Sequence, residues 1–353
     1  MNGRPHLRGL PPEQLVEALP ELALSARAAR LVVKRTVRED SDRLDGIEGF
    51  GQGRADRLGA LGRLDRLRVV ERRASSVDPF VKYLFEADDR SVFEAVRIPL
   101  AAPRWSVCVS SQAGCALACA FCETGRLGLK RNLEAWEIVE QVLTVRREAP
   151  ERPVTGVVFQ GQGEPLQNLD EVLKAAELFR HPCGLQVAGE RITISTSGLL
   201  APIERFTDEG HPYRLILSLT SALQDKREEL VPVARANPLT DLAEAMRRRV
   251  TERGGVVHLA WVLMAGVNTG DDEAEAIARL FHDLPVRLHV IDVEDPSGRF
   301  AAPDEAERHR FLDALHRHGI PFVRRYSGGA DVQASCGTLA ATRAGGRVLP
   351  EPG

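Results

Sequence analysis

Three cysteines fall within eight residues, Cys115-Ala-Leu-Ala-Cys119-Ala-Phe-Cys122, in a loop that also contains Gly114. Three thiolates at this spacing can wrap one face of a cubic iron-sulfur cluster and leave the fourth iron without a protein ligand, free to bind a substrate-like molecule. A structural zinc ion is the competing reading. Zinc usually takes a fourth Cys or His and a second pair at two-residue spacing, and no such pair stands nearby. The other cysteines are Cys108, Cys183 and Cys336. A second candidate is Gly161-Gln-Gly163-Glu164-Pro165, whose glycines let backbone approach a ligand and whose Glu164, acceptor-only when ionised, suits an ammonium group. Taken alone, this stretch would be a solvated turn, and only its place at a strand end argues otherwise. Hydroxyls recur at Ser195 and in Ser218-Leu219-Thr220, where single residues would ordinarily cap or turn the chain.

These residues need a scaffold. From Trp105 onward, apolar runs (Trp105 to Ser110, Gly156 to Phe159, Arg191 to Thr196, Leu215 to Leu219, His258 to Met264, Leu288 to Val293) alternate with amphipathic stretches. That is the rhythm of six βα units, which predicts an α/β fold: a partial (β/α)6 barrel with its chemistry at the carboxyl ends of the strands. The cysteine loop, Gly163-Glu164, Ser195 and Ser218-Leu219-Thr220 each fall at such an end. Ahead of the barrel, Leu15, Leu19, Leu22 and Leu24 and then Ala29, Leu31 and Val32 keep helical spacing, predicting a small helical accessory domain over residues 1–78. Phe80 to Phe85 and Val92 to Ile98 flank a polar Glu86 to Arg90, so residues 79–104 read as a β-hairpin connection. The core then spans 105–345, and 346–353 form a Gly/Pro tail.

No run approaches the ~18 apolar residues of a membrane span, and Met1 to Leu10 lacks a signal peptide's apolar stretch, which predicts a cytoplasmic protein without a membrane partner. In that reducing compartment, six cysteines argue for metal or catalytic use rather than a disulfide framework. A net charge of -3 leaves nucleic-acid binding open. Arg126, Lys130, Arg131, Arg247 to Arg249 and Arg324-Arg325 could line a phosphate-binding face, although such clusters are commonly solvated surface.

The Cys-x-x-x-Cys-x-x-Cys loop, with an aromatic residue before its last cysteine, resembles the radical S-adenosylmethionine superfamily. Further motifs narrow the likeness: Cys108-Val-Ser-Ser-Gln-Ala-Gly-Cys115, Thr124-Gly-Arg-Leu-Gly-Leu-Lys-Arg-Asn-Leu133, Gly161-Gln-Gly-Glu-Pro-Leu-Gln-Asn168, Ser195-Thr-Ser-Gly198 and Ser335-Cys-Gly-Thr-Leu339 resemble, in this order, the RlmN/Cfr family of RNA adenine methyltransferases. The resemblance runs from the helical segment to about Ala341. It implies a [4Fe-4S] cluster on Cys115, Cys119 and Cys122, whose open iron chelates S-adenosylmethionine and whose electron splits the sulfonium to a deoxyadenosyl radical.

The resemblance also implies roles for single residues. Gly163, Glu164, Ser195, Ser218, Leu219 and Thr220 would bind the cofactor, two molecules of which are used per turnover. Cys336 would be methylated first, lose a hydrogen and add as a methylene radical to an adenine carbon, which is electrophilic and cannot attack a sulfonium directly. Glu94, a carboxylate among Phe93, Ala95 and Val96, would be the proton acceptor, and Cys108 would release the product through a transient disulfide with Cys336. Cys183 matches nothing and reads as an inert thiol.

Two positions depart from the family pattern. Thr220 stands where the family usually has histidine, and Val293-Glu294-Asp295-Pro296 where it commonly has Trp-Asn-Pro. The implied product carries a methyl group on carbon 2, alternatively carbon 8, of an adenosine in 23S ribosomal RNA, transfer RNA or both, with a flavodoxin or ferredoxin as electron donor. The same machinery acting on a small molecule or peptide is the alternative. A non-catalytic zinc module is a third.

Overall fold

Proline and serine set the first helices: Pro12 opens α1 (Pro12–Ala18), and the Ser25 hydroxyl caps α2 (Ala26–Val33) by accepting from Ala28 N at 3.2 Å. A third helix, α3, spans Gln52–Leu61. Their buried leucines and valines join the same hydrophobic core as the strands that follow, so the helical segment is packed into the main body. Arg8 lies at the joint. Fully buried, it donates to the carbonyls of Thr36 and Leu64 at 3.1 Å each and pairs with Asp42 at 2.5 Å and Glu140 at 3.4 Å. The computed structural model describes residues 3–340, so the expected barrel end at 345 and the tail 346–353 lie outside the described residues.

The sheet begins antiparallel, with β1 (Arg68–Ala74), β2 (Val81–Glu86) and β3 (Val92–Pro99), and β3 pairs antiparallel with β4 (Trp105–Val109). β1 falls where sequence predicts helix. Its run Arg68-Val-Val-Glu-Arg-Arg-Ala74 carries too many charges to read as a buried strand, and it is an edge strand with a bulge between Val69 and Glu71. The expected hairpin therefore forms part of one sheet with the barrel strands. After β4, the short strands β5 (Gln112–Gly114) and β6 (Leu129–Asn132) pair separately and bracket the cysteine loop and helix α4 (Glu123–Arg126).

Strand and helix then alternate through α5 (Ala135–Glu148), β7 (Val154–Phe159), α6 (Leu169–Arg180), β8 (Ile192–Thr196), α7 (Leu200–Asp208), β9 (Arg214–Ser218), α8 (Gln224–Leu230) and α9 (Leu239–Arg253). The remainder is β10 (Val257–Leu263), α10 (Asp271–Leu280), β11 (Val286–Asp292), α11 (Glu305–Arg317) and β12 (Phe322–Arg324). The main sheet runs β1-β2-β3-β4-β7-β8-β9-β10-β11-β12, parallel from β4 onward. Six of the parallel strands are those expected from the apolar runs, which gives the predicted α/β partial barrel. The three-residue β12 extends it. β8 is buried throughout, as a strand covered on both faces must be.

Beyond β12 the chain folds back onto the antiparallel strands. Gly329 N donates to Asp78 Oδ2 at 2.8 Å, Asp331 accepts from Ser76 N at 2.8 Å, and Lys82 Nζ donates to Gln333 O at 3.1 Å. Phe80, Val96, Cys108, Ala334 and Leu339 form a small apolar cluster beneath it. The segment that carries Cys336 is thus docked on β2 and β3. Among the described residues, no helix is long and apolar enough to cross a membrane.

Candidate active site

The cysteine loop leaves β5 through Gly114, whose φ of +79° favours glycine and whose missing Cβ makes room for the Gly128 carbonyl. That carbonyl accepts from Cys115 N at 3.1 Å. Farther along, Ala120 N donates to Leu230 O at 2.9 Å and Cys122 N to Cys119 O at 3.1 Å. The C-terminal segment closes the loop from the other side: Glu123 N donates to Gly337 O at 2.8 Å and Thr124 Oγ1 to Leu339 O at 2.6 Å. Cys115, Cys119 and Cys122 all border one cleft of about 860 Å³. Burial raises all three thiols, Cys115 to about 11, and a bound cation would reverse this by stabilising the thiolates. A set of three thiols around one cleft fits a cluster larger than one ion.

The opposite wall is built by Gly161 to Pro165. A Cβ on Gly163, where φ is +97°, would lie 2.5 Å from Gln112 Cβ. Gln112 is held at both ends, its Oε1 accepting from Glu164 N and its Nε2 donating to Asn132 Oδ1, each at 2.8 Å. Glu164 is almost fully buried at the cleft. Its carboxylate accepts from Leu166 N at 3.1 Å and Ser197 N at 2.8 Å, while burial raises its pKa. An incoming ammonium would offset that desolvation.

Ser195 and Ser218 border the same cleft, as do Gly163 and Glu164. Leu219 and Thr220 do not. Leu219 is fully buried behind the wall, its carbonyl accepting from Arg227, which also holds Ser197 O at 2.6 Å. Thr220 turns away at a φ of +62°, with its carbonyl accepting from Asn268 Nδ2 at 2.7 Å. The cleft instead takes Gln160, which sequence reasoning did not single out, and Thr196, Ser197 and Val293, which it named only within longer motifs. The hydroxyl run Ser195-Thr-Ser was the available signal. Glu294 is absent from the lining. Asp295 organises its turn, accepting from Ser297 N at 2.9 Å and Phe300 N at 3.0 Å.

Cys336 borders this cleft and also a second cavity of about 1450 Å³ that reaches down inside the sheet, where Cys108 lies. The two thiols are close enough for the charge of one to bear on the other, and burial raises both. All six cysteines are free, so the anticipated Cys108–Cys336 disulfide is not formed in this state. Cys183 sits elsewhere, 2.9 Å from His181 Nδ1.

Glu94 lies on the same face of β3 as Val96, which stands opposite Cys108. It does not border either large cavity. Its neighbours in the chain are apolar, yet across the strands it meets Lys82 Nζ at 3.0 Å, in a small recess also lined by Glu71 and Arg73. The expected phosphate face is largely neutralised. Arg126 pairs with Glu123, Arg131 with Asp89 and Glu137, Arg247 with Glu244 and Asp283, Arg248 with Asp208 and Glu252, and Arg324 with Asp292.

The family model of the radical SAM superfamily matches residues 109–281. A "Probable RNA methyltransferase" of Myxococcus xanthus is 44% identical over 98% of this chain and 97% of its own length. A "Probable dual-specificity RNA methyltransferase RlmN" of Heliobacterium modesticaldum is 38% identical over 94% of this chain and 89% of its own. Among solved structures, a radical SAM methyltransferase from Sphaerobacter thermophilus superposes with a TM-score of 0.88 at 34% identity, covering 96% of this chain and all of that one.

Proposed function

The chain belongs to the RlmN-type radical SAM RNA methyltransferases, and from that premise we propose that it methylates carbon 2 of an adenosine in 23S ribosomal RNA, transfer RNA or both by way of a methylated Cys336. The position of Cys336 carries the reading, because it is the cysteine that borders both the cleft of the three cluster thiols and the cavity of Cys108. A group bound to its sulfur can be loaded from one side and delivered to the other.

Cys115, Cys119 and Cys122 would hold the [4Fe-4S] cluster, with Gly163, Glu164, Ser195 and Ser218 around S-adenosylmethionine and Leu219 and Thr220 supporting them from behind. When bound, these groups supply the methyl donor and the radical that makes a methyl carbon reactive, two cofactor molecules per turnover, with the electron from a flavodoxin or ferredoxin. The protein's own part is to hold Cys336 between the compartments and to keep Cys108 in reach as the resolving thiol. Ser327 Oγ accepts from Cys336 N at 2.9 Å and fixes the loop there. Glu94 would take the proton from the adduct, since its partner Lys82 also holds Gln333 O, three residues before Cys336. Residues 1–78 would engage RNA, 79–104 carry the Cys336 loop and 105–345 perform the chemistry, in the cytoplasm.

The test is mass spectrometry of nucleosides from transfer and ribosomal RNA incubated with the reconstituted enzyme, together with intact-protein mass. Expected are 2-methyladenosine, a Cys336 heavier by one methyl group, and a Cys108→Ala enzyme that stalls with RNA attached through Cys336. An active enzyme whose Cys336 is never modified would overturn the proposal. Methylation of a peptide or metabolite with RNA untouched would replace its substrate.

A further inference from the structure

At the end of the sheet opposite the cluster, the parallel strands begin with an unusual set of cations. Arg104 directly precedes β4, Arg191 directly precedes β8, Arg214 opens β9, and Arg287 and His258 are the second residues of β11 and β10. Arg104, Arg191 and Arg214, at these strand starts, line the cavity that contains Cys108 and Cys336, together with the buried His289 in mid-strand and Arg325 just after β12. Among the described residues, its lining contains no Asp or Glu. Among the described residues, none of these five arginines forms an ion pair, whereas Arg131 and Arg247 are each matched with two carboxylates.

Like charges gathered without counterions raise the free energy of the folded state, so such a set calls for a charge from outside. The histidines add little charge of their own. His258 Nδ1 and His289 Nε2 lie 3.0 Å apart, Arg325 Nε donates to His289 Nδ1 at 3.0 Å, and burial with the nearby arginines lowers the two rings to about 4 and about 3. A separate sign is Arg104 Nε, which is buried and has no hydrogen-bond partner among the described residues. A buried donor left unmade is expensive, and the deficit ends when an acceptor arrives. Several convergent guanidinium forks suit a ligand with more than one anionic oxygen and more than one charge.

We propose that this amino-end mouth is a phosphate-binding site, occupied by backbone phosphates of the RNA whose target base reaches Cys108 and Cys336 at the far end of the same cavity. The choice of RNA as the phosphate's source rests on the functional reading above. The anionic chemistry does not. Direction of entry follows: the strand approaches from the side of the sheet away from the cluster, so cofactor and RNA have separate doors.

The test uses the full chain with its cluster reconstituted. Affinity for a fluorescein-labelled anticodon stem-loop is read by anisotropy between about 50 and 200 mM salt, and inorganic pyrophosphate binding is read by calorimetry. Arg191→Gln and the double variant Arg191→Gln/Arg214→Gln should weaken RNA binding stepwise. The double variant should lower the slope of log K against log salt by about 1.5, since each lost phosphate contact removes about 0.7 for a single strand and about 0.9 for a duplex. Pyrophosphate heat should shrink in parallel, while Arg247→Gln, paired on α9 with Asp283, should leave both unchanged. Arg191 is exposed, so its single variant remains informative if the double variant misfolds. RNA affinity, salt slope and pyrophosphate heat all unchanged would overturn the site. Pyrophosphate loss with RNA binding intact would keep the phosphate site and overturn RNA as its occupant. If RNA is never methylated yet both binding signals respond to the variants, the functional reading fails and the site stands.

Discussion

Between pH 7 and pH 5 this protein should lose stability through His6, near the start of the chain. His6 is 6% exposed and stacked on Trp136, ring centroids 4.1 Å apart. Its Nδ1 accepts from Arg8 N at 3.3 Å and its Nε2 lies 3.0 Å from Asp65 O. That pattern needs a neutral ring with the proton on Nε2, which leaves Nδ1 no room for another. Burial, with Arg8 and Arg63 adding to it, lowers the pKa from 6.5 to about 4. The sign follows from linkage. The unfolded state binds the proton more tightly, so the contribution is complete above about 6.5, falls as the pH drops, and is fully lost below about 4.

The whole step is 2.5 pH units at about 1.4 kcal/mol each, or about 3 kcal/mol, of which about 2 kcal/mol falls between pH 7 and pH 5. Urea unfolding at both pH values, for wild type and His6→Phe, measures it. The phenyl ring keeps the stack and removes the titration, while His258 and His289 titrate equally in both proteins and cancel. Wild type should lose about 2 kcal/mol more than the variant. Parallel losses would refute the argument that burial holds this imidazole neutral.

Three further outcomes can be checked directly. Anaerobically reconstituted protein should be brown with four irons per chain, Cys115→Ala should lose the colour and the reductive cleavage of S-adenosylmethionine, and colourless protein with stoichiometric zinc would contradict the cluster. Gly163→Ala should weaken S-adenosylmethionine binding by tenfold or more in calorimetry, because the positive φ alone strains an L-residue by about 1–2 kcal/mol and Gln112 cannot yield without releasing Glu164 N. Asn268→Ala should destabilise by about 2–4 kcal/mol in urea unfolding, since its fully buried amide holds Thr220 O, Val262 O and Met264 N at 2.7–2.8 Å.

What could be read in advance was what is local in the chain. Runs such as Leu288 to Val293 announce buried strands because both faces are apolar, and the cysteine loop announces itself because its ligands are seven residues apart at most. β1 was missed because an edge strand with one face in water can carry Arg68, Glu71 and Arg72, and β12 because three residues carry no period. Leu219 and Thr220 were assigned to the cofactor with Ser218 by the resemblance, but of the three only Ser218 borders the cleft, and the chain turns at Thr220 with a positive φ. Glu94 and Lys82 come from different strands, and no spacing within one strand shows that they meet. Arginine pairing is likewise a property of the fold. The runs at Arg126 to Arg131 and Arg247 to Arg249 look basic in sequence and are mostly neutralised in space, whereas Arg104, Arg191 and Arg214, scattered one at a time, converge.

An open sheet leaves two rows of backbone groups that a neighbouring molecule could add to, and the two ends of this one are treated differently. At one end β1 presents Arg68, Glu71, Arg72 and Arg73 and breaks its pairing with a bulge, so an incoming strand would meet charge and an irregular register. At the other, β12 offers only three residues, two of its flanks being Pro321 and Arg325. A proline just ahead removes a donor, and so short a ladder gives a second chain little to hold. Among the described residues, neither edge of the sheet therefore offers a neighbouring strand a long, regular ladder to extend.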